Sequence, residues 1–292
     1  MLTEQEFRKA NECIAAAGRQ RPVAQLFDEF WREGELAMLF GASGTGKSVL
    51  AVQIADALAR GTPMHGFVMP SGRRKVLYVD LSFSDSQFRE RYGRHRFPQN
   101  LYRGRPKREA DLLEWLQAAV EANDFRVVIV DDLTAVKRTH DGIRETLALM
   151  RGLKRLCGEL SVSVLVLSDA LVPKDRWASE DDLMRSRVLC TVADSVFCIG
   201  RTRRPEGGRR IFQTRSRAAK LVWTSSNCPE CEIRRLESGP LGFEFDERFS
   251  PKIDDETRRR LGLIKALRER GETFRSIAAT LGLSTDDRTP RS

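Results

Sequence analysis

Histidine is scarce in this chain. Its three histidines, His65, His95 and His140, are scattered and form no catalytic dyad. Long apolar runs are missing too: none approaches the roughly 20 residues needed to span a bilayer. The opening residues, Met1-Leu2-Thr3-Glu4-Gln5-Glu6-Phe7-Arg8-Lys9, lack the apolar core of a signal peptide. A cytoplasmic protein without a membrane partner is expected, its six cysteines reduced. Negative charge is the minority, with 41 Asp+Glu against 50 Lys+Arg and a formal net charge of +9. That balance favours contact with a polyanion, although it also occurs in proteins with no nucleic-acid role. No internal repeat is present. What the chain does have is 292 residues, 41% of them hydrophobic and 31% charged. This suffices for one substantial core and a small appendage.

One stretch dominates the rest. Gly41-Ala42-Ser43-Gly44-Thr45-Gly46-Lys47-Ser48 fits the pattern G-x-x-x-x-G-K-[ST]. The apolar run Leu36-Ala37-Met38-Leu39-Phe40 before it reads as a buried strand. Leu50, Ile54 and Leu58 after it, with Ala51 and Ala55, recur at helical spacing. Strand, glycine loop and helix start arrive in the order that cradles a polyphosphate. Glycines let the backbone wrap the phosphates, N–H groups point inward, and the helix N-terminus adds partial positive charge. The candidate nucleotide-binding residues are Gly41, Ser43, Gly44, Thr45, Gly46, Lys47, Ser48 and Val49. Lys47 would reach the β/γ-phosphates and Ser48 would hold Mg²⁺ through its hydroxyl, so ATP and Mg²⁺ are the expected cofactors.

Residues 1–32 read as a helix and then an apolar lead-in, Val23 to Trp31, whose large aromatics are expected to pack on the core. Further strands are predicted at Val76 to Asp80, Arg126 to Asp132, Ser163 to Asp169 and Ser195 to Ile199. Helices are predicted over Ser84 to Arg94, Glu109 to Ala122 and Ile143 to Leu160, and Arg103 to Lys107 reads as a basic loop. Continuous apolar strands alternating with helices imply an α/β fold with a mostly parallel sheet covered on both faces. From Arg210 the rhythm becomes that of edge hairpins: Ile211 to Gln213, Lys220 to Trp223, Glu232 to Leu236 and Gly242 to Phe245. The domain reading is an N-terminal helix over 1–25, a core with edge hairpins over 26–248, and a linker with a small C-terminal helical tail over 249–292.

Nucleotide hydrolysis needs a second acid at the end of a strand beside the glycine loop. Asp131 is the reading for the metal, with Asp132 as the competing choice. The order of glycine loop, acid-ending second strand, Asp-ending third strand and late basic strand resembles a RecA-type core. Within that group it resembles RepA-like and DnaB-like replicative helicases and their compact AAA-family relatives, over about residues 26–245. The supporting stretches are Glu35 to Phe40, Val76 to Tyr92, Asp182 to Arg187 and Ala193 to Gly200. The resemblance implies an ATPase, a single-stranded DNA partner, and self-association into a ring or filament.

Two departures stand out. In that family a Glu near the end of the second strand activates water. Here Ser82 takes its place, leaving Asp80 or Asp132 to substitute. Asp169 stands where relatives often carry a His sensor. The resemblance also implies that basic residues late in the core reach a neighbouring subunit's γ-phosphate. Arg215 and Arg217, spaced i, i+2 on one strand face, fit that role. Arg201, Arg203 and Arg204 are the alternative contacts to phosphate backbone.

Two smaller signals remain. Cys228-Pro229-Glu230-Cys231 has half-site zinc spacing with no second pair after it. Leu263 to Ser284 resembles the first two helices of a helix-turn-helix unit, yet Thr285 to Ser292 leave too little chain for a reading helix.

Overall fold

A computed structural model of the chain describes residues 8–19, 22–133, 142–171, 179, 182, 187–202, 208–236 and 240–245. The chain divides into two units, Met1–Asp246 and Glu247–Ser292. All of the second, on which the expected helical tail falls, lies outside the described residues, as do Arg203, Arg204 and His140.

The helices are α1 (Ala10–Gly18), α2 (Lys47–Arg60), α3 (Asp85–Tyr92), α4 (Leu112–Asn123), α5 (Gly142–Glu159) and α6 (Arg187–Val192). The strands are β1 (Gln25–Phe27), β2 (Trp31–Arg32), β3 (Leu36–Gly41), β4 (Val76–Asp80), β5 (Leu101–Gly104), β6 (Val127–Asp131), β7 (Ser163–Asp169) and β8 (Ser195–Arg201). They continue with β9 (Arg209–Ser216), β10 (Glu230–Arg235) and β11 (Leu241–Phe245). Among the described residues no helix is long and apolar enough to cross a membrane.

Nine strands form one sheet in the order β11-β10-β9-β8-β3-β7-β6-β4-β5. From β5 to β8 every pairing is parallel; β9, β10 and β11 then add antiparallel. Every residue of β3, β4 and β6 is buried, as continuous apolar runs require of strands covered on both faces. Alternation along β3 sends Leu36, Met38 and Phe40 into one core layer with Leu112 and Leu116 of α4 and Met150 and Leu153 of α5. Phe197 of β8 packs on the rings of Phe27 and Phe30, with centroids 6.1 and 5.3 Å away. The lead-in therefore packs on the core as expected: Phe27, Phe30 and Trp31 are fully buried. Asp28, buried at a positive φ of 45°, pins it there. Its carboxylate accepts from the Val68 amide at 2.9 Å and the Trp223 indole at 3.0 Å.

Three readings are corrected. Leu101–Gly104 is the edge strand β5, so Arg103 lies in the sheet rather than in a loop. Lys220 to Trp223 is not a strand, because the main chain at Val222 and Trp223 is occupied by the side chain of Gln213. Finally, β9 ends at Ser216, so Arg217 falls one residue beyond the strand it was expected to share with Arg215.

Phe197→Ala should cost about 3–5 kcal/mol of stability, because it empties the centre of the Phe27–Phe30 ring cluster. Chemical denaturation followed by circular dichroism measures it.

Candidate functional site

The parallel strands all end at one edge of the sheet, where open α/β folds place ligands. There β3 delivers the glycine loop, and three neighbouring strands each deliver an aspartate: Asp80 from β4, Asp131 from β6 and Asp169 from β7. The register places Asp80 opposite Asp131, and Gly41 opposite Asp169.

The loop turns on two glycines at positive φ, Gly44 (72°) and Gly46 (102°), the latter directly before α2. Lys47 is buried and folded back over the loop. Its Nζ donates to the carbonyls of Gly41 and Ala42, both at 3.1 Å, and pairs with Asp169 Oδ1 at 2.5 Å. The Ser48 side chain lies beside the carboxylate of Asp131 and acts to lower its pKa. The Tyr78 hydroxyl donates to the same carboxylate, 2.6 Å from Oδ2. Burial pushes the Asp131 carboxyl up to about 6; the bond from Tyr78 and the nearby Ser48 hydroxyl oppose that rise, and the charges of Asp132 and Asp80 add to it. Burial, with the charge of Asp131 beside it, likewise pushes the Tyr78 phenol well above its ordinary range.

A hydroxyl and a buried carboxylate side by side are oxygen donors of the kind Mg²⁺ takes. A cation held between them would also offset the burial of Asp131's charge, so Ser48 and Asp131 fit the metal of a nucleotide site. Asp132 follows, half-buried, after a cis peptide bond.

Asp80 is engaged differently. Its Oδ1 accepts from the amides of Ser82 and Phe83 at 3.1 and 2.8 Å, and its Oδ2 accepts from Arg103 Nε at 2.8 Å. Arg103 also bonds Asp85 and the Phe83 carbonyl and lies over the Phe88 ring. This is the bonding of a residue that shapes a loop, and it takes up both oxygens of one candidate base. Ser82 itself is exposed.

The late strands close the loop from its other side. Arg209 Nε donates to the Thr45 carbonyl at 3.0 Å, and Arg201 Nη2 lies 3.4 Å from the Gly44 carbonyl. Arg201 thus faces the glycine loop. A Cβ at Gly46 would stand 2.6 Å from Ile233 and 2.8 Å from Phe243, so the β10–β11 hairpin covers that glycine closely. Gln53 of α2 holds the hairpin in place by bonding both the amide and the carbonyl of Phe243, at 2.8 and 3.0 Å.

Arg215 and Arg217 are not brought to this edge. Arg215, half-buried, pairs with Val196 near the start of β8. Six residues of strand, about 20 Å, separate it from Arg209. Arg217 is tied to its own chain through the Thr191 carbonyl and, at 4.0 Å, Asp194. Cys228 and Cys231 are buried thiols whose pKa burial raises, and each donates to a carbonyl, of Ser225 and Arg209 respectively. Among the described residues no three His, Cys, Asp or Glu side chains gather as metal ligands.

The family described as AAA domain matches residues 3–170, more than half of the chain. The chain belongs to the AAA domain family. Among solved structures, this AAA protein is similar to a KaiC-like protein from the hyperthermophilic archaeon Pyrococcus horikoshii. The TM-score is 0.56 at 15% identity, over 75% of this chain and 93% of that one. No curated protein matches it in sequence. The fold is a RecA-like core, and the AAA protein is a P-loop NTPase.

Sequence reasoning missed Tyr78, Arg103 and Arg209. Each meets its partner only through the fold, and none carries a local motif.

Gly46→Ala and Gly34→Ala both place a side chain at positive φ, 102° and 79°, but Gly34 has open space around it. Gly34→Ala should lose about 1 kcal/mol. Gly46→Ala should lose more than twice that and weaken nucleotide binding at least about tenfold, because the hairpin is pushed off the loop. Thermal melting and nucleotide titration separate the two.

Proposed function

We propose that this P-loop NTPase couples ATP binding and hydrolysis to DNA binding as a ring or filament, resembling RepA-type hexameric helicases. In this reading the glycine loop and Lys47 take the phosphates of ATP. Ser48 and Asp131 hold its Mg²⁺, and Asp132 orients the attacking water, Asp80 being occupied by Arg103 and its own loop. The observation that carries the proposal is the glycine loop at the strand-end edge, with Lys47 folded over it and Asp131 beside Ser48; the neighbour-site role is assigned to Arg215. It lies about 20 Å along β9 from the end that meets the loop, beyond reach of its own subunit's phosphates. If Arg215 takes part in hydrolysis it does so in a neighbour's site, where it would stabilise charge on the transferred phosphoryl. The net charge of +9 supports a polyanionic partner, with single-stranded DNA the first candidate.

A second reading has its own observation. Ser82, where relatives carry a carboxylate, is exposed and cannot act as one. ATP would then set assembly or DNA affinity with weak or no hydrolysis.

Steady-state ATPase with and without single-stranded DNA, beside mass photometry with ATP, distinguishes the two. DNA-stimulated turnover in a multi-subunit species is expected; assembly and binding without turnover favours the second reading. Arg215→Ala should cut turnover by about 10³-fold while ATP affinity stays within about threefold. Equal loss of both would remove the neighbour-site role.

A further inference from the structure

Asp169 closes β7 directly opposite Gly41, and the Ala170 amide bonds the Gly41 carbonyl at 3.0 Å. The acid is therefore built into the mouth of the glycine loop. Its Oδ1 lies 2.5 Å from Lys47 Nζ, with the two side chains only 24% and 7% exposed. Lys47 is the group expected to meet the β/γ-phosphates in a site of this type. Two anions, the Asp169 carboxylate and the incoming phosphate, thus compete for one ammonium. Where water is largely excluded, their mutual repulsion is weakly screened. A neutral polar side chain here would donate to a phosphate; a carboxylate offers no proton and adds like charge. Free ATP is far more negative than its magnesium complex, so Asp169 opposes the free form more strongly.

We infer that Asp169 is a specificity-determining residue that makes the site take metal-complexed nucleotide and reject free polyphosphate. The inference rests on the nucleotide reading above. Asp169 holds Lys47 at the mouth of the loop. Phosphate displaces that contact readily only when it arrives with its charge already offset. The preference comes from electrostatics, so it belongs to any tri- or diphosphate ligand, whatever base it carries.

The test is binding to the full-length chain by calorimetry, with ATP and with inorganic tripolyphosphate, each in excess magnesium and in EDTA. The native chain is expected to bind both ligands at least about tenfold more tightly with magnesium. Asp169→Asn should raise affinity in EDTA about tenfold and change affinity in magnesium by less than about threefold. Asp169→Glu, which keeps the charge, should preserve the native preference, and thermal melting shows that each variant is folded. An unchanged magnesium preference in Asp169→Asn overturns the inference. Equal binding of tripolyphosphate with and without magnesium by the native chain also overturns it, whether or not the variants fold. If the native chain binds neither ligand under either condition, the nucleotide reading itself fails.

Discussion

Three aspartates at the ends of three adjacent parallel strands must each be given a counterpart, and the site follows from how this is done. A carboxylate at the rim of a sheet buried on both faces is costly unless it is bonded or paired. Asp80 receives Arg103 and two loop amides, and that choice folds the segment leading into α3. Asp131 receives the hydroxyl of Tyr78 and has that of Ser48 beside it, neither of them charged, so a bound cation would complete it. Asp169 receives Lys47. The strand order sets these assignments: each aspartate meets what its neighbouring strand or the loop can offer.

The other half of the site comes from strands of opposite direction. Arg209 at the start of β9 bonds a carbonyl of the glycine loop, and Ile233 and Phe243 lie against its last glycine. The loop is therefore enclosed between parallel strands that carry acids and antiparallel strands that carry cations and apolar cover. α2, which begins at Lys47, is buried on nearly every side because the sheet takes one face and β11 another.

Much of this was legible before any coordinates. The runs at 36–40, 76–79, 127–130 and 164–167 are apolar without interruption, as strands buried on both faces require, and each leads into the glycine loop or towards a strand-end aspartate. Strand β5 escaped because Leu101-Tyr102-Arg103-Gly104 is a short, half-covered edge whose arginine suggests a loop. Lys220 to Trp223 misled in the opposite sense. Its apolar residues are there, but the Trp223 indole serves Asp28, and the amides of Val222 and Trp223 are taken by the side chain of Gln213 rather than by a strand's backbone. The glycine loop was readable because its residues are consecutive. The contacts that tune it join residues far apart in sequence, such as Tyr78 with Asp131 and Arg209 with Thr45. Periodicity and spacing say nothing about such pairs. Arg217 shows a related limit: spacing placed it beside Arg215, while the end of β9 turned it back to its own chain.

The family match stops at residue 170, whereas β8 and everything that lies over Gly46 come later in the chain. A fragment cut there would retain the whole phosphate-loop signature and all the strand-end acids. Yet β3 would become a bare margin with half its hydrogen-bonding groups facing solvent. The minimal piece worth expressing is consequently longer than the recognisable signature, and runs at least through Phe245.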